Sequence, residues 1–325
     1  RLLASQERTV AVQPKVSVLV ITYNHADFIR QALDSVLMQE TTFPYEVLIS
    51  EDCSTDGTRA IVTTYQQEHP DLIRLLLSAQ NVRNNSAVAR GIESTRGEYL
   101  ALLDGDDYWT VPDKLQRQVD FLERHPECAV CFHNALVVDE DHTKAPWQWT
   151  PADQKEVSTL ADLWMGNSFA TCSTLFRRAL FGPVPDWYID LFPITDWPLH
   201  LLNAEQGQIG YIDEVMGVYR YHSRGFYSPL SEARKQETTL ALYQTLNRNF
   251  GYKYDRLVKT GITKYFVEWA EEYLSRGELE RARVCFWTAL SGRPLNRHVS
   301  LQRLLLLWLR LYKPPALRMP RLSPR

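Results

Sequence analysis

Along residues 15–125 two patterns take turns. Near-continuous apolar runs of strand length occur at "KVSVLVITY" (15–23), "YEVLISED" (45–52), "LIRLLLS" (72–78) and "EYLALLD" (98–104). Between and after them, "DFIRQALDSVLMQ" (27–39), "GTRAIVTTYQQEH" (57–69), a stretch near 85–95 and another from about Pro112 to His125 read as helices. This alternation predicts βα units, and with them an α/β fold whose mostly parallel sheet is flanked by helices. Ligands of such sheets collect outside the carboxyl ends of the strands. The polar clusters "TYNH" (22–25), "EDCSTDGT" (51–58) and "DGDD" (104–107) each follow an apolar run, so topology alone brings all three to that edge.

From about 139 to 170 the periodicity loosens around Pro146, Trp147, Trp149, Pro151 and Trp164, where the chain is expected to build the other wall of a cleft. After about Pro229 the pattern turns helical, with "EARKQETTLALYQTLNRNF", "ITKYFVEWAEEYLSRG" and "ELERARVCFWTAL" separated by Gly and Asn signals. A domain boundary is therefore expected near 229. Within this part Ala270, Tyr273, Gly277, Ala282, Phe286, Ala289 and Pro294 fall at the offsets of a single tetratricopeptide-like helical pair. One unit cannot form a solenoid, so a helical hairpin packed on the preceding domain is the plainer reading, and a docking surface for a partner the other.

Composition narrows the classes. The 325 residues are 45% hydrophobic and 23% charged, enough for one large core or two smaller ones. A net charge of -3 offers no field for nucleic acid, and no nucleic-acid partner is expected. Five scattered cysteines, an odd number, speak against a disulfide framework and for a reducing, cytoplasmic location. Cys128 and Cys131 form a CxxC, but "CAVCFH" reads as a strand, on which residues three apart point to opposite faces, and no second pair stands at zinc spacing. The longest apolar run, "LLLLWL" (304–309), is far short of the roughly 20 residues that cross a bilayer.

"DGDD" places three carboxylates within four positions, where they repel one another unless something offsets the charge. In one reading Asp107 caps a turn, Asp104 ends a strand and all three are solvated. In the other, Asp104 and Asp106 face a divalent cation across Gly105. Hard oxygen ligands suit Mn2+ or Mg2+, and such an ion commonly completes its shell with substrate phosphates. In "EDCSTDGT" the Ser/Thr/Asp cluster is expected to cap the next helix, which leaves Asp52 at the strand edge to accept from a base N–H or a ribose hydroxyl. Thr22 and Tyr23 offer a hydroxyl and a ring at the same edge, although both also serve as plain strand formers.

Taken in order, "VSVLVITYN", "EDCSTDGT", "GEYLALLDGDDYW", "PDKLQRQVDFLERHPE", "TDWPLHLL" and "GVYRYH" resemble family 2 glycosyltransferases of the GT-A (Rossmann-like) fold, over residues 15 to about 228. The resemblance implies metal-dependent, inverting transfer of a sugar from a nucleotide-diphosphate sugar to an acceptor hydroxyl, in surface polysaccharide or glycoconjugate assembly. On it, the chain divides into an N-terminal extension (1–14), a GT-A domain with a nucleotide half (15–138) and an acceptor half (139–228), and a helical domain (229–325). Thr22, Tyr23, Asp52 and Asp104 are then expected to hold the nucleotide. Asp106, with Asp104 and His222, is expected to hold Mn2+ or Mg2+, and Asp107 to orient the loop. Asp196 becomes the general base, although it also suits a helix N-cap before Trp197-Pro198.

Glu51, Asp107, Trp197 and Arg220 are candidate substrate contacts, and Arg220 and Arg224 are placed to steady phosphate oxygens. Trp147, Trp149, Trp164, Trp187 and Trp197 either stack on sugar rings or fill the core. UDP is the default nucleotide by family frequency, with dTDP and GDP open, and the acceptor is a saccharide or lipid-linked saccharide. Two departures bear on specificity: Thr195 stands where many relatives carry Glu, and Val88-Ala89 where many carry Arg-Asn.

From Leu301 to Arg325 the chain has Arg303, Arg310, Lys313, Arg318, Arg321 and Arg325 and no acid. Such a segment either makes peripheral contact with the inner face of a membrane or completes the helical domain with its Leu face. Three rival classes call for other sequence features. A nucleotidylyltransferase needs a Gly-rich phosphate loop, which "VITYNHADF" lacks. A non-catalytic carbohydrate-binding or scaffold protein has no need of Asp106 and Asp196. A processive synthase needs membrane-spanning helices.

Overall fold

The computed structural model describes residues 13–81, 83–292 and 296–312. Its first part follows the alternation: β1 (Val16–Thr22), α1 (Ile29–Leu37), β2 (Tyr45–Glu51), α2 (Thr58–Glu68), β3 (Ile73–Leu77), α3 (Ser86–Ser94) and β4 (Tyr99–Asp104). Then come β5 (Tyr108–Trp109), α4 (Lys114–Arg124), β6 (Cys128–Asp139), β7 (Trp147–Gln148), β8 (Val157–Ser158), α5 (Leu160–Leu163), β9 (Thr174–Arg177), α6 (Arg178–Phe181), α7 (Asp196–Ala204) and β10 (Gln208–Tyr221). All ten strands join one sheet, with main order β3-β2-β1-β4-β9-β6-β10-β5, β7 beside β6 and β8 beside β10.

The β3-β2-β1-β4 half is wholly parallel. Val16, Val18, Leu19, Val20, Val47, Leu48 and Ile49 have no exposed surface, as helices on both faces require of parallel strands. The other half is mixed. β9 inserts antiparallel between β4 and β6, whereas β6 and β10 pair in parallel. β10 is fourteen residues long, and its register slips near Ile212–Val215 and again before Gly217. Such irregularities bend a strand, and the far half of β10 pairs antiparallel with β5, bringing 219–221 to the acidic loop.

Two compact units share the chain: residues 1–160 with 168–230, and 161–167 with 231–325. The second contains α8 (Glu232–Asn249), α9 (Asp255–Ser275), α10 (Leu279–Leu290) and α11 (Leu301–Tyr312). The sequence pattern places 161–167 in the acceptor half; the structure places it in the helical unit. Trp164 is fully buried there, its ring 6.1 Å from those of Tyr243, Phe250 and Tyr254, and Tyr243 Oη donates to its carbonyl at 2.9 Å. Trp164 thus fills a core and is no candidate for stacking on a sugar.

α9 and α10 form an antiparallel pair with Ala270, Tyr273, Ala282, Phe286 and Ala289 buried. Gly277 ends α9 at a φ of +81°, the left-handed turn that glycine adopts without penalty. Pro294 lies outside the described residues, as do 1–12 of the N-terminal extension and the basic positions Lys313, Arg318, Arg321 and Arg325. Among the described residues no helix is long and apolar enough to cross a membrane.

One core position defies its residue type. Lys114, at the start of α4, is fully buried, with Nζ 3.8 Å from the Trp109 ring centroid and no hydrogen-bond partner. Burial pushes its pKa down to about 7, whereas an unfolded lysine titrates near 10.4. Between those values the unfolded chain binds more protons, so this group makes stability rise with pH. Lys114→Met is therefore expected to raise the thermal midpoint at neutral pH, with an advantage that shrinks as the pH approaches 10. Thermal unfolding of both proteins across that range checks it; a pH-independent gap would show that the ammonium carries no burial penalty.

Candidate active site

The loops after β1 and β2 are stitched together by the side chains of the second. Ser54 Oγ accepts from Asn24 N at 3.0 Å, Thr58 Oγ1 from His25 N at 2.8 Å and Asp56 Oδ2 from Ala26 N at 3.1 Å, while Asn24 Oδ1 accepts from Thr55 N at 2.8 Å. The Ser/Thr/Asp cluster is expected to cap α2, and Asp56 Oδ1 does accept from Thr58 N at 2.9 Å at the head of that helix, although the N-cap position itself is Gly57; the rest of the cluster ties two strand ends. Asn24 and Cys53 take φ values of +56° and +60°, a strained conformation for side-chain-bearing residues.

Glu51 and Asp52 part company at the end of β2. Glu51 is fully buried, accepting from Ser54 N and from the Arg59 guanidinium. It points into the protein and braces the loop. Asp52 lies beside β1, its N–H donating to Thr22 O at 3.0 Å, and its buried Oδ1 has no partner. Burial pushes its carboxyl up, opposed by the Ser78 hydroxyl and the Arg90 charge. An orphaned acceptor at a strand end is what a ligand N–H or hydroxyl would satisfy.

After β4 the three carboxylates take three environments. Gly105, between the first two, has no room for a side chain: a Cβ there would lie 2.7 Å from Thr22 Oγ1 and 2.9 Å from His25 Nδ1. Asp107 turns inward, 1% exposed, and Oδ1 accepts from Arg220 N at 2.8 Å. Burial, with Asp106 and Asp104, pushes its carboxyl well up. Asp104 is also pushed up, by burial first and then by the charges of Asp106 and Asp196.

Asp106 goes the other way. Its Oδ2 lies 3.1 Å from His222 Nε2 and 3.4 Å from His25 Nε2. Burial, which opposes ionisation, is outweighed by His25 and by the His222 hydrogen bond, and the carboxyl is held below its usual range. His25 is itself pushed down by burial, against the pull of the Asp106 charge. His25 escapes the sequence reading, although "TYNH" contains it; the signal is a titratable ring at the same strand end as Thr22. His222 is buried against Phe28, ring centroids 4.9 Å apart, and its Nδ1 has no partner.

Arg220 is already engaged. Nε donates to Glu140 Oε1 at 2.8 Å, the other two nitrogens donate to Asp106 O and Gln31 Oε1, and the guanidinium lies 4.4 Å from the Tyr108 ring and 5.1 Å from that of Phe28. At 6% exposure it frames the loop; the cation expected to meet phosphate is committed to the chain. Arg224 pairs with Asp27 at 2.6 Å on the surface.

Asp196 opens α7, and its Oδ1 accepts from Trp197 N at 2.7 Å. It combines a place in the first helical turn with closeness to the acidic loop, since its charge is felt at Asp104. Trp197 is 7% exposed. Among the other aromatics, Tyr23 stacks on Phe226 at 5.9 Å, Phe226 meets Phe192 edge-on at 5.0 Å, and Trp149 lies 4.9 Å from Tyr219. Phe226, 46% exposed, carries no sequence signal, because a lone Phe in "SRGFYS" follows no pattern.

One strand edge of a mixed sheet thus carries Thr22, Asp52, Asp104, Asp106 and His222, with Asp196 in electrostatic reach. Residues 17–182 match the family model described as "Glycosyl transferase family 2". The chain belongs to glycosyltransferase family 2. It is 39% identical over 291 residues to an uncharacterized protein of Mycobacterium tuberculosis, covering 88% of this chain and 83% of that one. Among solved structures, it is similar to TarS 1-349 of S. aureus in complex with UDP-GlcNAc: TM-score 0.60, 20% identity, 78% of this chain and 72% of that one. It is also similar to the mannosyltransferase PcManGT of Pyrobaculum calidifontis in complex with GDP-Man and Mn2+: TM-score 0.53, 21% identity, 93% and 81% covered. The fold is the GT-A fold of these neighbours.

Gly105→Ala forces the acidic loop away from Thr22 and His25. Sugar transfer is expected to fall by on the order of a hundredfold, with the thermal midpoint little changed because the loop lies at the sheet edge. Steady-state kinetics beside a melting curve check this, and unchanged kinetics would show that the close approach does not set the site.

Proposed function

We propose that the protein transfers a sugar from a nucleotide-diphosphate sugar to an acceptor hydroxyl with inversion at the anomeric carbon. The observation that carries this is the Asp106 carboxylate, ionised between two imidazoles, beside an Asp104 carboxyl whose charge is suppressed and within reach of Asp196. In this reading Thr22, Tyr23, Asp52 and Asp104 receive the nucleotide. Tyr23 supplies a ring already stacked on Phe226, and Asp52 an unpartnered oxygen.

The residues fit a divalent cation. The Asp104 and Asp106 carboxyl groups and the His222 imidazole make an oxygen and nitrogen set suited to Mn2+ or Mg2+. Among the described residues no group of three or more His, Cys, Asp or Glu side chains is placed to hold a metal ion unaided, so the proposed ion needs ligands from the substrate as well. Asp106, Asp104 and His222 would hold it. Bound there, it would neutralise charge on the leaving diphosphate.

Asp196 takes the acceptor's hydroxyl proton as that oxygen attacks the anomeric carbon from the face opposite the diphosphate. Its hydrogen bond to Trp197 N holds the carboxylate at the head of α7. Asp107 and Arg220 hold the loop in place. The donor nucleotide is UDP, with dTDP and GDP the alternatives to be compared, and the acceptor is a saccharide or lipid-linked saccharide of surface polysaccharide or glycoconjugate assembly.

Calorimetric titration of UDP, dTDP and GDP with and without Mn2+, on the native protein, Asp106→Asn and Asp196→Asn, tests the reading. One nucleotide is expected to bind in a Mn2+-dependent way, and binding to be lost in Asp106→Asn. Asp196→Asn is expected to keep that binding while kcat drops by on the order of 10²–10⁴-fold. Binding of no nucleotide under either condition, or full turnover by Asp196→Asn, would overturn it.

A further inference from the structure

α7 carries a second polar side chain on the face of Asp196. His200, one turn further along, has no exposed surface, and neither of its ring nitrogens has a hydrogen-bond partner among the described residues. Its ring centroid lies 4.3 Å from that of Phe169, which stacks in turn on Phe132 at 4.3 Å. An enclosed imidazole with both nitrogens unmet is an unfavourable use of a core position, which an apolar side chain of similar volume would fill without that cost. Burial pushes its pKa down to about 3, so near neutral pH the ring is uncharged and carries its one proton on either Nδ1 or Nε2.

Nε2 faces a carboxyl group. It lies 3.9 Å from Asp196 Oδ2, about 1 Å beyond a hydrogen bond. Residues four apart stand one above the other on a helix, so the approach is set by α7 itself. The backbone at the head of the helix is anchored, because Tyr188 Oη donates to Thr195 O at 2.9 Å. With the backbone held there and the imidazole enclosed against Phe169, the motion that closes the gap is a turn of the Asp196 side chain, which is 21% exposed. The same carboxylate selects the tautomer: a proton on Nε2 meets its negative charge, whereas a proton on Nδ1 would turn the Nε2 lone pair toward it.

We propose that His200 is a positioning residue for Asp196: its Nε2–H donates to Oδ2 and holds the carboxylate in the orientation in which it takes the acceptor's proton. This rests on the reading of Asp196 as the general base. It accounts for an imidazole where packing alone favours an apolar residue, and it gives α7 the arrangement in which one side chain does the chemistry and another orients it. With the Trp197 N–H on one oxygen and the His200 N–H on the other, the carboxylate is fixed about its own axis, and so is the lone pair it presents to the acceptor. His200 neither gives up nor takes a proton in this role; the proton removed from the acceptor hydroxyl stays on Asp196.

NMR of the histidine rings reads the proton directly on the native protein, with His200→Leu to assign the signal. The expected result is a proton on Nε2, shifted downfield by the carboxylate and moving back in Asp196→Asn. Kinetics give the second readout. His200→Leu is expected to lower kcat by about tenfold, with donor KM and Mn2+-dependent nucleotide binding unchanged and the thermal midpoint unchanged or raised, since an unmet polar group leaves the core. His200→Gln, which restores an N–H donor, is expected to recover most of the lost rate. In the Asp196→Asn background His200→Leu is expected to have no further effect, because it acts through that carboxylate. A ring proton on Nδ1, one that Asp196→Asn leaves unmoved, an unchanged kcat in His200→Leu, the same loss in the Asp196→Asn background, or a Gln variant no faster than Leu would overturn the proposal. Full turnover by Asp196→Asn would remove the assignment of the base and this inference with it, whereas those results beside an inactive Asp196→Asn would remove the role of His200 alone.

Discussion

A buried guanidinium holds the acidic edge of the sheet together. Arg220 ties β10 to the loop after β4 through Asp106 O, to α1 through Gln31 and to the chain beyond β6 through Glu140, with its guanidinium carbon close to the rings of Tyr108 and Phe28. Burying such a charge is unfavourable unless its donors are met and a counter-charge lies close. Here every guanidinium nitrogen has an acceptor, and the Arg220 backbone N–H also binds Asp107. One residue therefore both positions the loop and supplies positive potential beneath it. That is why the cation read in the sequence as a phosphate contact is instead part of the frame.

Three chemically identical side chains then acquire different properties from their surroundings, the general means by which a protein assigns separate roles to carboxylates. Asp107 is bound to backbone and pushed toward its neutral form. Asp106 is bracketed by imidazoles and stays ionised. Asp104 is pushed toward its neutral form by burial and by the neighbouring charges of Asp106 and Asp196. Two further groups at this edge, Asp52 Oδ1 and His222 Nδ1, are buried without a hydrogen-bond partner in the fold.

What the sequence makes legible follows from what each signal depends on. Strand runs such as 16–22 and 99–104 are apolar because helices cover both faces, so periodicity exposes them and the polar residues that end them. β9, four residues long and antiparallel between β4 and β6, has no such signature, because its pairing depends on strands distant in the chain. Segment 161–167 belongs to the helical unit through Trp164, and an isolated tryptophan announces burial without naming the core it enters. Glu51 and Asp52 are adjacent and alike in charge, yet strand alternation turns one inward to Arg59 and the other toward the edge. His25 lies in plain sight in "TYNH", but its meeting with Asp106 rests on a contact across 81 positions of chain that no local pattern reports.

That contact rests in turn on register. β1 and β4 are parallel neighbours, with Ile21 opposite Asp104, so the residues just past both strand ends meet: Thr22 and His25 on one side, Gly105 and Asp106 on the other. A slip of one residue would turn Asp104 to the opposite face and put a different side chain against Thr22. The apolar runs of both strands resist such a slip because they are buried on two faces and lose packing on either. A pairing set by Val16, Val18, Leu19 and Val20, well inside the core, thus decides whether two carboxylates and two imidazoles converge at the edge. The glycine between the carboxylates is the sequence's record of how close the two loops come.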